Sequence, residues 1–221
     1  MRLPFVPRDG LCRKCGRDAA GLDGEFLCED CRTHAPHFDR AACVFRFEGD
    51  ARELVNAFKF RERLETRDDL VDFLEATARA RFKVDEIDCV VPIPSTLGHR
   101  WMRGYNQCAL LAKPLAKRLG KPCQNLLKRV GCPKRQGGLG EKDRRENVVG
   151  TFECRPEIES VVGAAKGTRH SCRVREKGES TILLLDDIMT TGSTLSEAAK
   201  TLKAAGIGRV WTLALARSIR D

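Results

Sequence analysis

The chain has 221 residues, of which 42% are apolar and 32% are charged, and its formal net charge is +9. This length suits one substantial domain with a small module beside it, since single cores commonly span about 100–200 residues. The apolar content argues against disorder throughout, and no apolar run approaches the ~20 residues of a membrane span. The N-terminal residues lack the apolar region of a secretion signal, so we expect a cytoplasmic protein.

Four of the eleven cysteines form two CxxC pairs near the N-terminus: Cys12, Cys15, Cys28 and Cys31. Two such turns can direct four thiolates at one tetrahedral ion, which predicts a structural zinc site in a ribbon over residues 1–40. A redox-active CxxC motif and unpaired thiols are the alternatives, and His34 or His37 could in principle replace one ligand. Most of the other seven cysteines, a group that includes Cys108, are expected to be small buried hydrophobic residues.

The rest of the chain alternates strand and helix patterns. Its apolar spacing predicts strands over 42–47 and 87–91 and helices over 50–58, 66–81 and 106–119. Pro114 should kink or split the third of these helices, because proline lacks the N–H that an interior helix position donates. A wholly apolar run at 182–185 is typical of a strand buried in a parallel sheet, and a helix with Gly206 at its C-terminus follows. The pattern predicts an α/β fold.

Two segments concentrate the positive charge. Residues 128–145 contain five more basic than acidic side chains, together with four glycines, and we expect them to form a mobile loop. A second basic stretch lies within residues 155–178, which we interpret as an insertion; an ordinary solvated surface explains its charge equally well.

The apolar run at 182–185 ends in two acids, Asp186 and Asp187. A loop of small residues and a helix follow, and the loop consists of Thr190, Thr191, Gly192, Ser193 and Thr194. Hydroxyl groups beside the N–H groups of a helix N-terminus favour a phosphate, and carboxylates at a strand end can accept hydrogen bonds from ribose hydroxyls. This pattern indicates a ribose 5-phosphate site. The alternative is a turn at Asp187 and a helix cap at Thr194 with no ligand.

Residues 182–194 resemble the phosphoribosyl pyrophosphate (PRPP) signature of type I phosphoribosyltransferases, and nearly the whole chain resembles the ComF family. The resemblance is carried by the cysteine pairs, by Lys59-Phe60-Arg61, by Val91-Pro92-Ile93-Pro94, by Arg103-Gly104-Tyr105-Asn106-Gln107 and by Arg145-Glu146-Asn147-Val148. It implies a type I phosphoribosyltransferase fold in residues 41–221, with a parallel sheet flanked by helices and a hood.

The resemblance also implies roles for single residues. Asp186 and Asp187 would bind the ribose hydroxyls, and the loop 190–194 would bind the 5-phosphate. The backbone amides around Ser95 and Thr96 would face the pyrophosphate. A hood over 128–145 would close on PRPP and bring two candidate catalytic cations to the pyrophosphate, Arg144 and Arg145. Magnesium would bridge the pyrophosphate and ribose oxygens.

Two functions follow from this resemblance. The first is an enzyme that transfers phosphoribosyl from magnesium-bound PRPP to an unidentified amine or base nitrogen and releases pyrophosphate. The second is a non-catalytic, PRPP-responsive module of DNA uptake and competence, whose basic loops would bind single-stranded nucleic acid. An amidotransferase half that would supply ammonia is not expected, since residue 2 is arginine and not a nucleophilic cysteine. The sequence identifies neither the acceptor nor the oligomeric state.

Overall fold

The structure, a computed structural model, describes residues 3–7, 9–18, 26–59, 64–95, 105–130, 147–162 and 178–218. Six α-helices lie within these ranges: Glu29–Thr33 (α1), Gly49–Lys59 (α2), Arg67–Arg81 (α3), Gln107–Arg118 (α4), Glu159–Val162 (α5) and Ser193–Ala204 (α6). The six strands are Arg40–Arg46 (β1), Cys89–Pro92 (β2), Leu127–Arg129 (β3), Phe152–Cys154 (β4), Thr181–Met189 (β5) and Arg209–Arg217 (β6). Short 3-10 turns occur at Leu64–Thr66, Val84–Glu86 and Pro156–Ile158. None of the helices in these ranges has both the length and the apolar character needed to cross a bilayer.

Four strands form a parallel sheet in the order β1-β6-β5-β2. β5 is an interior strand that pairs with β6 from Thr181 to Met189 and with β2 over residues 182–185. The side chains of residues 182–185 are fully buried because the sheet is covered on both faces, as the unbroken apolar run predicts. The predicted fold class, a parallel sheet flanked by helices, is confirmed.

Three helices, α2, α3 and α4, cover one face of the sheet and bury apolar stripes against it. The prediction that Pro114 could split its helix is wrong, since α4 runs without interruption through this residue. An interior proline costs a helix about 3 kcal/mol, whereas burying a leucine contributes about 2 kcal/mol. Leu111 and Leu115 of α4 are both fully buried, and their packing offsets the hydrogen bond that proline cannot make.

The opposite face is covered by α6, by the antiparallel β3–β4 hairpin and by the cysteine-bearing segment. Cys15 packs in the same buried cluster as Leu195 and Leu202 of α6. The approach of this segment to β1 is close enough to require glycine at position 16, where an added Cβ would lie 2.7 Å from the carbonyl oxygen of Ala41. The cysteine-bearing segment is therefore seated directly on the sheet.

Both edges of the sheet are hydrogen-bonded to neighbouring segments. The backbone of residues 4–6 bonds to Val44 and Arg46 of β1 at 2.9 and 2.8 Å. On the other side, the backbone of residues 122–124 bonds to Val90 of β2 at 2.9 and 3.0 Å. These contacts satisfy backbone groups that an exposed edge strand would leave open.

The prediction of an irregular loop over 128–145 is wrong at its first residues, because Lys128 and Arg129 belong to β3. The preceding Leu127 is buried, and the Arg129 guanidinium lies 5.0 Å from the ring centre of Phe152 on β4, so packing holds this end of the segment in a strand.

Most of the predicted basic loop, residues 131–145, lies outside the described residues, and so does 163–177 of the insertion predicted over 155–178. The described part of the insertion contains α5, whose Val161 is fully buried, and it therefore packs onto the domain.

Candidate functional site

Asp186 and Asp187 lie in the C-terminal half of β5, beyond the point where β2 stops pairing with it. β5 extends four residues past the apolar run, because Ile188 and Met189 continue the ladder with β6. The two acids therefore stand at the carboxyl edge of the parallel sheet, on a strand that is longer than the sequence predicts. Ligands of parallel α/β sheets bind at this edge.

Asp186 is half-buried and accepts hydrogen bonds from neighbouring protein groups. Its Oδ1 accepts a hydrogen bond from the backbone N–H of Asp187 at 2.9 Å and one from the thiol of Cys108 at 3.5 Å. Burial, and secondly the neighbouring charge of Asp187, raise the pKa of Asp186 from 3.8 to about 7. This carboxyl therefore exchanges a proton near neutral pH, and a bound cation would favour its ionised form.

Asp187 has a cationic partner that the sequence analysis did not identify. The Nζ atom of Lys59, the last residue of α2, lies 3.1 Å from Oδ2 of Asp187, and both side chains are less than one fifth exposed. The carbonyl oxygen of Lys59 accepts a hydrogen bond from Nε2 of Gln107 at 2.7 Å. The Lys59-Phe60-Arg61 motif thus contributes its lysine, at the end of α2, to the acid pair.

The start of α4 is fixed against the loop that follows β2. Asn106 caps α4 by accepting a hydrogen bond from the N–H of Cys108 at 3.1 Å, and it donates its side-chain N–H to the carbonyl of Ile93 at 3.0 Å. This arrangement carries Cys108 to Asp186. The motif at 103–107 indicated that this segment belongs to the site. Its spacing did not indicate that Cys108, the next residue, would contact Asp186.

The loop after β5 turns sharply into α6. Gly192 has φ +79°, and an added Cβ would lie 2.7 Å from Cε of Met189, so both conformation and space favour glycine there. The hydroxyls of Thr191 and Ser193 are 2.6 Å apart, and Thr191 Oγ1 accepts from the N–H of Ser193 at 3.2 Å. Ser193 and Thr194 already belong to the first turn of α6, so hydroxyls and helix N–H groups converge at this turn.

The other predicted contacts are only partly within the described residues. Ser95 follows β2 and is half-buried, close in the chain to Ile93, whose N–H bonds to the carbonyl of Leu185 at 2.9 Å. Thr96, Arg144 and Arg145 lie outside the described residues.

A second cluster, formed by the four cysteines of the two CxxC pairs, lies at the N-terminal segment. The Sγ atoms of Cys12, Cys15, Cys28 and Cys31 are within 4.8 Å of one another. The backbone N–H of Cys28 donates to Sγ of Cys12 at 3.3 Å, a contact that stabilises a thiolate. Within the described ranges, this cluster contains the four cysteines and neither His34 nor His37. The geometry can hold one metal ion.

The proton affinities of these thiols also favour a cation. Hydrogen bonds from Cys15 and Cys31 lower the pKa of Cys12 far below its usual value. The hydrogen bond to Cys12 raises the pKa of Cys15 to about 11 and is the main cause of a still larger rise at Cys31. Ionising one thiol thus makes it harder to ionise its neighbours, and a bound cation would offset this repulsion.

The chain was compared with protein families and with curated proteins. No family model matches it. Competence protein F of Haemophilus influenzae is 28% identical over 228 residues, which covers 96% of this chain and 93% of that protein. DNA utilization protein YhgH of Salmonella typhimurium is 27% identical, with 96% and 86% covered. Competence protein ComFC of Bacillus subtilis is 30% identical over 162 residues, with 73% and 52% covered. The first two matches span nearly the whole of this chain.

Solved structures show a more distant likeness. Glutamine PRPP amidotransferase from B. subtilis aligns with a TM-score of 0.44 and 15% identity, over 72% of this chain and 30% of that chain. Adenine phosphoribosyltransferase from Leishmania tarentolae aligns with a TM-score of 0.37 and 16% identity, over 72% and 73%.

Proposed function

The chain belongs to the ComF family, and we propose that it is a phosphoribosyltransferase that binds magnesium-bound PRPP. One observation carries this proposal: an acid pair at the carboxyl edge of a parallel sheet is followed directly by a hydroxyl-rich turn into a helix N-terminus. The acids suit a vicinal diol and the turn suits a phosphate monoester. A ribose 5-phosphate carries both groups on one ligand.

In the proposed reaction, the bond between the anomeric carbon of ribose and the pyrophosphate oxygen breaks, and a bond from an acceptor nitrogen to that carbon forms. The electron pair leaves with the pyrophosphate, and the acceptor nitrogen loses a proton. Asp186 and Asp187 hold the ribose hydroxyls, while residues 190–194 hold the 5-phosphate. The protein acts mainly by positioning the two reactants and by balancing charge.

We assign binding of the pyrophosphate group to the predicted site residues outside β5 and the loop 190–194. In this proposal, Ser95 and Thr96 contribute backbone amides to pyrophosphate binding, and Arg144 and Arg145 offset the charge of the pyrophosphate as it leaves. When bound, magnesium neutralises pyrophosphate and ribose oxygens, and the carboxylate oxygens of the acid pair are suitable neighbours for it. Lys59 holds Asp187 in place before the substrate enters.

We also propose that the four-cysteine cluster binds structural zinc, and that residues 1–40 form a ribbon beside a phosphoribosyltransferase-like domain over 41–221. Four cysteine ligands leave no open position on the ion, which is the property of a structural site. The ion would stabilise a segment that has little apolar core of its own.

Calorimetric titration of the metal-loaded protein with PRPP and Mg²⁺ tests the proposal. We expect one site per chain with a dissociation constant between about 1 µM and 1 mM, the usual range for enzyme substrates. Pyrophosphate titrated alone is the control and should bind more weakly, because it lacks the ribose and the 5-phosphate. A screen of amines and bases for pyrophosphate release then identifies the acceptor. Absence of PRPP binding at millimolar concentration would contradict the proposal.

The second candidate is a nucleic-acid-binding module. It is favoured by the names of the relatives, two of which refer to competence and one to DNA utilization, and by the net charge of +9. We expect a labelled single-stranded oligonucleotide to bind, with an affinity that falls roughly linearly on a log–log plot against salt between 50 and 200 mM. Fluorescence anisotropy measures this, and binding that is absent or insensitive to salt rules the second candidate out.

A further inference from the structure

A buried arginine lies between the cysteine cluster and the sheet. Arg217, the last residue of β6, is 5% exposed. Its Nη1 donates to the carbonyl oxygen of Cys15 at 2.5 Å, and its Nη2 lies 3.7 Å from Sγ of the same cysteine. The guanidinium therefore contacts both the backbone and the sulfur of one predicted metal ligand.

The charge of Arg217 has no carboxylate counterpart among the described residues, where no ion pair includes it. Arg17, near the same cluster, differs in this respect because it pairs with Asp30. A buried cation without an anion costs several kcal/mol, so a site that keeps one must supply negative charge. One zinc ion with four thiolates carries two net negative charges, and Cys15 brings that charge to the guanidinium.

Arg217 also contacts the residue from which the phosphate loop starts. Its Nη1 lies 3.5 Å from Sδ of Met189, the last residue of β5 and the neighbour of the loop 190–194. The Met189 methyl group in turn packs where a side chain on Gly192 would be. Cys15, Arg217 and Gly192 line one cleft of about 370 Å³. A continuous set of contacts thus leads from the cysteine cluster to the loop.

We infer that Arg217 is the internal counter-cation of the metal-loaded cysteine cluster, and that through Met189 it links metal loading to the phosphate-binding loop. The inference rests on the proposed zinc site. With the metal bound, the negatively charged cluster holds the guanidinium at Cys15 and so fixes Met189 against Gly192. Without the metal, the guanidinium loses its counter-charge and Met189 loses this support.

The role of Arg217 as counter-cation is tested by the zinc affinity of the full chain, measured by competition with a fluorescent chelator. We expect Arg217→Met to lower the zinc affinity about 10–100-fold, the usual effect of removing an outer partner of a metal ligand. Arg217→Lys keeps the positive charge and should retain most of the affinity. Arg209→Met, at the far end of the same strand, removes a half-exposed arginine paired with Glu86 and should have no effect. Arg217→Gln replaces the methionine variant if that variant does not fold.

The second part is tested by titrating the zinc-saturated variants with PRPP. Arg217→Met should weaken PRPP binding at least about 5-fold, in the range of ordinary coupling between sites, while Arg209→Met should not. Cobalt absorption spectra at saturating Co²⁺ show whether the four thiolates still coordinate in each variant. If wild-type protein binds no zinc, the proposed metal site fails. If wild-type protein binds zinc and Arg217→Met or Arg217→Gln binds it equally tightly, the inference about Arg217 is wrong. The inference is also wrong if Arg217→Lys loses as much zinc affinity as these neutral variants.

Discussion

Replacing both Asp186 and Asp187 by asparagine is expected to abolish binding of magnesium-bound PRPP. Hydrogen bonds to charged groups contribute about 1.5–3 kcal/mol each, so losing both carboxylates should raise the dissociation constant by at least about 100-fold. Pyrophosphate release should fall below detection. Calorimetry measures the first effect and a coupled pyrophosphate assay the second.

Asp68→Asn is the matched control for the double variant, since Asp68 is an exposed aspartate of α3 whose carboxylate pairs only with the adjacent Arg67 among the contacts described here. It should leave PRPP binding and turnover unchanged. If the double variant binds PRPP as tightly as this control, the ribose site has been assigned to the wrong residues.

The single change Asp186→Asn should also make the protein more stable above neutral pH. The folded protein raises the pKa of Asp186 from 3.8 to about 7, so folding opposes ionisation of this group. The resulting destabilisation is absent below pH 4, grows between pH 4 and 7, and is complete above pH 7. Removing the carboxyl should therefore increase the free energy of unfolding by about 1–3 kcal/mol at pH 8 and by little at pH 4. Urea denaturation at the two pH values measures the difference, and a gain of equal size at both would contradict the assigned cause.

Cys28→Ser is expected to release the metal and to lower the melting temperature by about 10 °C or more. Loss of a structural metal is among the largest single-site effects, commonly above 4 kcal/mol, and 1 kcal/mol corresponds to about 2–4 °C for a protein of this size. The cysteine-bearing segment packs on the same face of the sheet as α6, so its unfolding should expose part of that face. Elemental analysis gives the zinc content, and calorimetric scanning gives the melting temperature.

Cys154→Ser provides the comparison, because Cys154 is a half-buried cysteine of β4 outside the cluster. Its thiol contacts the carbonyl oxygen of Thr201 at 3.6 Å, and a serine hydroxyl can donate to the same atom. This variant should retain one zinc per chain and nearly the wild-type melting temperature. Equal melting temperatures for the two serine variants would show that the cluster does not stabilise the fold through a metal.

The sequence predicts those parts of the site whose residues lie close together in the chain. The run at 182–185 indicates a buried strand because both faces of an interior parallel strand are covered, and the two acids and the hydroxyl loop follow within a few residues. The CxxC spacing likewise brings its cysteines together through local turns.

Contacts between distant segments could not be predicted in the same way. Lys59 reaches Asp187 only because α2 ends at the carboxyl edge of the sheet, and Cys108 reaches Asp186 because Asn106 sets the start of α4. Neither apolar periodicity nor motif spacing indicates contacts between side chains that are more than 75 residues apart in the sequence. Pro114 shows the same limit, since the split that a local rule allows does not occur in the packed helix.

Both edge strands of the four-stranded sheet are hydrogen-bonded to other segments of the same chain, and this restricts how copies of the protein can associate. Residues 4–6 occupy the open side of β1 and residues 122–124 that of β2, so neither outer strand offers a ladder to another chain over these stretches. If two sheets paired edge to edge at these stretches, one of the two segments would first have to dissociate from its edge strand. An assembly of the native form therefore cannot use these stretches for strand pairing, and its formation should leave the amide exchange of Arg46 and Val90 nearly unchanged.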